Sequence, residues 1–93
     1  MDLRSLTYFV KIATTGSITR AADQLGVAQS ALSRHVRIVE DDLGIQLLVR
    51  EPRGVRLTGA GLQFLEHCQR VIRELTLARE ELQVRKEVPR GNV

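Results

Sequence analysis

The chain has no tryptophan, one tyrosine and two phenylalanines, so aromatics make up only 3% of it. That scarcity fits a small helical domain better than an aromatic-rich sandwich, and an isolated Tyr8 is no platform for stacking single-stranded bases. Cys68 is the only cysteine, which excludes an intrachain disulfide framework and points to a reducing compartment. Neither His35 nor His67 has metal-ligand spacing to Cys68 or to the other, so no metal and no cofactor is expected. His67 and Cys68 are neighbours in a helical pattern, where side chains diverge by about 100°. They cannot pair as nucleophile and base, and no enzyme is expected. No glycine-rich phosphate loop follows a strand. No apolar run is long enough to span a bilayer, and Met1-Asp2-Leu3-Arg4 does not begin a secretion signal, so the expected setting is cytoplasmic with no membrane partner. Internal repeats and low-complexity tracts are absent too.

What is present fits one globular domain: 93 residues, 43% hydrophobic and 27% charged. A net charge of +3 and a pI near 9.8 permit nucleic-acid binding without requiring it. Placement decides, because a local cluster sets the field that a phosphate meets. The first 57 or so residues could bury only about 60% of their unfolded surface. So small a core gains from a partner subunit.

The most informative stretch runs from Ile18 to Leu43. It divides into a short helical pattern, a sharp break at Gly26 and a longer amphipathic pattern. Ala21 and Ala22 are small enough for a second helix to cross closely. Leu25, Val27 and Leu32 form an apolar knot around the bend, and Gly26 supplies a left-handed backbone. This is a helix-turn-helix pattern, whose second helix lies in the DNA major groove. In that helix Leu32, Val36, Val39 and Leu43 make one buried stripe. The opposite side presents Gln29, Ser30, Ser33, Arg34 and Arg37, side chains suited to base edges and phosphates. The acidic run Glu40-Asp41-Asp42 comes at the far end, where phosphate would repel it. The N-terminal half of the helix should therefore face DNA. His35, beside Arg34, is open to either phosphate contact or solvation.

Before this stretch, Asp2 can cap a first helix built on Leu3, Leu6, Phe9, Val10 and Ala13, ending near Gly16. Ser17 is placed to cap the second. After it, Gly44 ends the third helix, and Ile45 to Arg50 reads as a strand. Glu51-Pro52-Arg53-Gly54 is a turn, and Val55-Arg56-Leu57 a return strand. The hairpin is a wing, with Arg53 at its tip and Arg50 and Arg56 on its flanks. A basic residue at such a tip can enter a minor groove.

Thr58 caps a last helix through the lead-in Gly59-Ala60-Gly61, with the helical pattern running from Leu62 to about Val88. Its apolar positions Leu65, Cys68, Ile72, Leu75, Ala78 and Leu82 form a stripe, with Phe64 and Val71 on a flank. A helix of ~27 residues is ~40 Å long, too long for the small domain to cover. The stripe should bury itself against the same helix of a second copy. The chain thus reads as mainly α: a winged helix-turn-helix over residues 1–57 (three helices plus a two-stranded wing), a long linker helix for dimerisation over 58–88, and a hinge or truncated tail over 89–93.

With these pieces placed, the chain resembles the N-terminal DNA-binding domain of LysR-type transcriptional regulators. The markers are Leu6-Thr7-Tyr8-Phe9, Gly16-Ser17-Ile18-Thr19-Arg20-Ala21-Ala22 and Ala31-Leu32-Ser33-Arg34. Leu43-Gly44, Leu47-Leu48-Val49-Arg50, Arg53-Gly54-Val55 and Leu57-Thr58-Gly59-Ala60-Gly61 complete the set. The resemblance covers Asp2 to about Val88. It implies sequence-specific binding of double-stranded DNA by a homodimer joined through antiparallel linker helices and reading an inverted repeat. It assigns base and backbone contacts to Gln29, Ser30, Ser33 and Arg34, a minor-groove contact to Arg53, a phosphate contact to Arg50, and backbone contacts to Thr19 and Arg20. It also implies a small-molecule effector domain that is absent from these residues.

Three positions depart from the family pattern. Ala28 stands where a Ser cap is frequent, which costs about 1 kcal/mol. Ser30 replaces a common Pro, exchanging an apolar contact for a hydrogen-bonding group. Leu48 replaces a frequent Phe at the base of the wing. The competing reading is a winged-helix module used only for protein association, with the long helix as its working part.

Overall fold

The computed structural model describes residues 1–87. Helix α1 spans Leu3–Thr15, α2 Ile18–Leu25 and α3 Gln29–Leu43. Strands β1 (Leu48–Glu51) and β2 (Gly54–Leu57) follow, and α4 runs from Gly59 to Glu87. Each of the first two helices opens on a side chain that satisfies a free backbone N–H. The Asp2 carboxylate accepts from Ser5 N at 2.9 Å, and Ser17 Oγ from Arg20 N at 3.1 Å. At Ala28 the backbone has the extended geometry of a cap (φ −72°, ψ 145°), but no side chain makes the bond. Gly26 turns the chain between α2 and α3 at φ 69°, a conformation that a Cβ would disfavour.

The core is built from Phe9 and Ile12 of α1, Ala21 and Ala22 of α2, and Leu32, Val36 and Val39 of α3. Leu47, Leu48 and Cys68 complete it. Leu25 and Val27 pack against it around the bend, as their pattern implies. Leu43 does not join the stripe: it is 41% exposed, since the last turn of α3 runs past the core. Leu48 is buried at the wing base.

The wing is an antiparallel pair in the register Leu48↔Leu57, Val49↔Arg56, Arg50↔Val55 and Glu51↔Gly54. It begins at Leu48, not at Ile45, because the backbone before Leu48 is committed elsewhere. Ile45 N donates to Glu40 O, while Thr58 N donates to Leu47 O and Thr58 Oγ1 to Gln46 O.

Helix α4 begins three residues earlier than its apolar pattern. Thr58 Oγ1 accepts from Gly61 N at 2.9 Å, which places the lead-in glycines inside the first turn. Gly61 is buried, and a Cβ there would collide with the Leu47 carbonyl oxygen. A poor helix former thus permits close docking of α4 on the wing base. Phe64 packs against Phe9 with ring centroids 5.3 Å apart. Of the stripe assigned to dimerisation, Cys68 is 1% exposed and belongs to the core of its own domain. It therefore offers almost no surface to a second copy, contrary to its expected place on the dimer face. Leu65 also packs against that core, partly buried.

Beyond these turns α4 extends free. The molecule measures 61 × 26 × 18 Å, and a 29-residue helix accounts for ~43 Å of that length. Leu75 and Leu82 lie exposed along it, and no helix among the described residues is long and apolar enough to cross a membrane. The expected helix end at Val88 and the hinge or tail at 89–93 fall outside the described residues.

Candidate nucleic-acid interface

On α3, successive side chains are turned by about 100°. Gln29, Ser33, Arg37, Ser30 and Arg34 therefore occupy an arc of about 140°, which begins beside the buried stripe of Leu32, Val36 and Val39 at Gln29 and turns away from it towards Arg34. Ser30, Arg34 and Arg37 are exposed. Arg34 stands clear of the wing, so nothing within the chain occupies its guanidinium by hydrogen bond or ion pair among the described residues.

Beside this arc lies an open groove of about 390 Å³. One wall is the start of α2, with Ser17, Ile18 and Thr19; the second is α3, with Gln29 and Ser33. The third is the wing from Arg50 to Val55. Five residues singled out in the sequence therefore share one groove: Thr19, Gln29, Ser33, Arg50 and Arg53. Arg37 lines an adjoining recess with Ser33 and Arg50. Arg20 is exposed on α2 and is not part of either wall.

The charges are arranged unevenly. Arg56 Nε bonds Glu51 Oε2 at 3.0 Å across the hairpin, so this pair largely cancels. Arg53 remains exposed at the tip. Arg50 Nη2 donates to Ser33 Oγ at 2.7 Å, linking the wing to α3.

A second link between these elements comes from Glu40, whose place in an acidic run suggests only repulsion of phosphate. Its Oε2 accepts from Leu47 N at 2.8 Å and Leu48 N at 3.2 Å. The carboxylate thereby satisfies two donors at the start of the wing. Helical arithmetic carried the signal: Glu40 falls about 20° from Gln29 around α3, on the wing-facing stripe.

The opposite side of α3 is fastened to α1. Ser5, which is buried, donates its hydroxyl to Asp2 Oδ1 at 2.9 Å and lies 3.1 Å from His35 Nδ1. Tyr8 meets the same imidazole edge-on, centroids 4.9 Å apart. His35 is thus drawn towards α1, an intramolecular role that neither phosphate contact nor simple solvation describes. The Ser5 backbone N–H and hydroxyl together hold the Asp2 carboxyl below its usual pKa.

The sequence and the fold both have relatives. The family described as "Bacterial regulatory helix-turn-helix protein, lysR family" matches residues 3–62. The transcriptional regulator CrgA of Neisseria meningitidis serogroup C is 42% identical over 86 residues, covering 92% of this chain and 29% of CrgA. The nitrogen assimilation regulatory protein nac of Escherichia coli is 46% identical over 74 residues, covering 80% of this chain and 24% of nac. The chain therefore spans less than a third of these relatives' length. Among solved structures, the BenM DBD complexed with catB site 1 DNA superimposes with a TM-score of 0.90 at 35% identity, over 95% of this chain and 98% of that one. The CbnR DBD–DNA complex gives 0.86 at 34% identity, over 94% and 100%. By sequence and by fold, the chain belongs to the lysR family of bacterial regulatory helix-turn-helix proteins, as their winged helix-turn-helix domain.

Proposed function

We propose that this domain binds double-stranded DNA in a sequence-dependent way, with α3 in a major groove and the wing tip in the neighbouring minor groove. The observation that carries the reading is the shared groove: the start of α2, the polar arc of α3 and the wing meet around Arg50, with Arg53 on the wing wall at the exposed tip. Ser30 and Arg34, on the exposed part of the arc, read base edges; Gln29 does so from the groove wall. Arg37, Arg50, Thr19 and Arg20 contact the sugar–phosphate backbone, and Arg53 enters the minor groove. Relatives of the same fold solved in complex with DNA support DNA binding as such; the division of roles among these residues rests on their placement in this chain.

Two copies join through α4 and present their reading heads to an inverted repeat. Ile72, Leu75, Ala78 and Leu82 form the dimer face, with Val71 rather than Cys68 at its domain-proximal end. Val71 also lines a largely apolar groove with Leu3, Leu6 and Phe64, so the face continues from α4 onto α1. Carried by a transcriptional regulator, such a domain would direct it to its sites.

Selection of bound sites from a random DNA pool, followed by binding titrations at two salt concentrations, tests the reading. Arg34→Ala should lose ~1–3 kcal/mol on the selected site and relax the preference at one base pair. Arg50→Ala should weaken all duplexes alike and reduce the salt slope by about one phosphate contact. Equal, salt-insensitive binding by the wild type and Arg34→Ala would instead favour a protein-association module.

A further inference from the structure

Ser33 and Arg50 belong to different elements, 17 residues apart, and are joined by a 2.7 Å hydrogen bond. Both line the groove and the adjoining recess, so their bond lies along the seam between α3 and β1. Ser33 sits about 40° from Gln29 and about 100° from Arg34 around the helix. It therefore faces the wing and not the exposed reading stripe of Ser30 and Arg34.

A serine hydroxyl has one proton and two lone pairs, and a guanidinium has five N–H donors in a fixed fork. The bond uses a lone pair of Ser33 and one donor of Arg50, leaving the other donors of the fork for a ligand. If α3 occupies a major groove and the wing the minor groove beside it, the sugar–phosphate strand dividing the two must cross this seam. That strand would meet the Arg50 guanidinium already held in place. An exposed arginine carries substantial rotamer entropy, so a fixed orientation removes part of the cost of capturing a phosphate.

We propose that Ser33 is a positioning residue for Arg50: it orients the guanidinium towards the phosphate between the two grooves and does not read a base. The proposal rests on the DNA-binding reading above, but its first half concerns the free protein and can be measured without DNA.

Two measurements test it. In the free protein, NMR of the Arg50 side chain should show hindered guanidinium rotation that Ser33→Ala releases and Ser33→Thr largely retains. In titrations against the selected duplex and its single-base variants, Ser33→Ala should weaken binding about three- to tenfold on every duplex. The ranking of bases should stay unchanged, and Ser33→Thr should recover most of the loss. With Arg50→Ala already present, Ser33→Ala should cost nothing further. A changed base preference in Ser33→Ala, or losses that simply multiply in the double variant, would overturn the positioning role. Hindered rotation in a wild type that shows no salt-dependent DNA binding would overturn the DNA reading and leave the clamp itself standing.

Discussion

Gly54 lies against Gly16 so closely that a Cβ built on Gly54 would stand 2.5 Å from the Gly16 carbonyl oxygen. The neighbouring Val55 N donates to that same oxygen at 3.1 Å. The wing is thereby docked on the turn between α1 and α2, and the angle it presents to a ligand is set by the helical core. Gly54 also has φ 137°, which side chains rarely adopt. Gly54→Ala should therefore destabilise the fold by about 1–3 kcal/mol and displace the wing. Gly26→Ala has a positive φ (69°) but nothing within 4 Å of the added Cβ, so its cost should be only about 1–2 kcal/mol, without a wing-dependent loss of binding. Urea melts paired with DNA titrations separate the two effects.

A stabilising change is available at the start of α3. Ala28 already has the extended backbone of a capping residue, yet offers no oxygen to the first turn. Ala28→Ser should supply that acceptor and raise stability by about 1 kcal/mol, read as a higher urea midpoint at unchanged slope.

Gly26 and Ala28 also show what the sequence could convey. Local chemistry was readable: the caps Asp2, Ser17 and Thr58, the break at Gly26 and the missing cap at Ala28 each involve neighbours within a few residues. The polar arc of α3 followed from helical period alone, and the core residues Leu32, Val36 and Val39 from the complementary stripe. What the pattern did not convey were contacts between distant elements. Glu40 looked like one acid in a run of three, because its partners are the backbone N–H groups of Leu47 and Leu48, which carry no side-chain signature. Leu43 and Cys68 share the apolar character and period of their stripes. Only tertiary packing determines that the first has passed the edge of the core and the second is sealed inside it. Gly61 reads as a poor helix residue until the Leu47 carbonyl beneath it is known.

Burial of Cys68 has a chemical consequence. Desolvation pushes its thiol from the ordinary value of 9.0 up to about 11, so almost no thiolate exists near neutral pH. Alkylation by iodoacetamide at pH 8 should be slow in native buffer and fast in denaturant. The neutral thiol suits the core, so its contribution is intact below pH 9 and declines as pH rises from there towards about 11. A Cys68→Ala variant should lack this alkaline component in its stability profile.

The proposed dimer face can be separated from the core by the same residue. Leu75 is 38% exposed and Leu82 64% exposed, and the apolar groove beside Leu75 includes Val71 and Ala78. Burying such side chains in a partner gains about 1.5–3 kcal/mol each, whereas a buried carboxylate there would be costly unless paired. Leu75→Glu and Leu82→Glu should therefore shift the protein towards monomer in sedimentation experiments, with little change in helix content. Leu77, also exposed, lies about 160° round α4 from Leu75, so Leu77→Glu should leave the association unchanged. Cys68→Ala should do the reverse of the stripe variants, lowering the stability of the fold through a cavity while leaving monomers able to pair. Association through α4 would be refuted by a wild type that sediments as a monomer throughout the micromolar range, or by Leu77→Glu and Leu75→Glu weakening it equally.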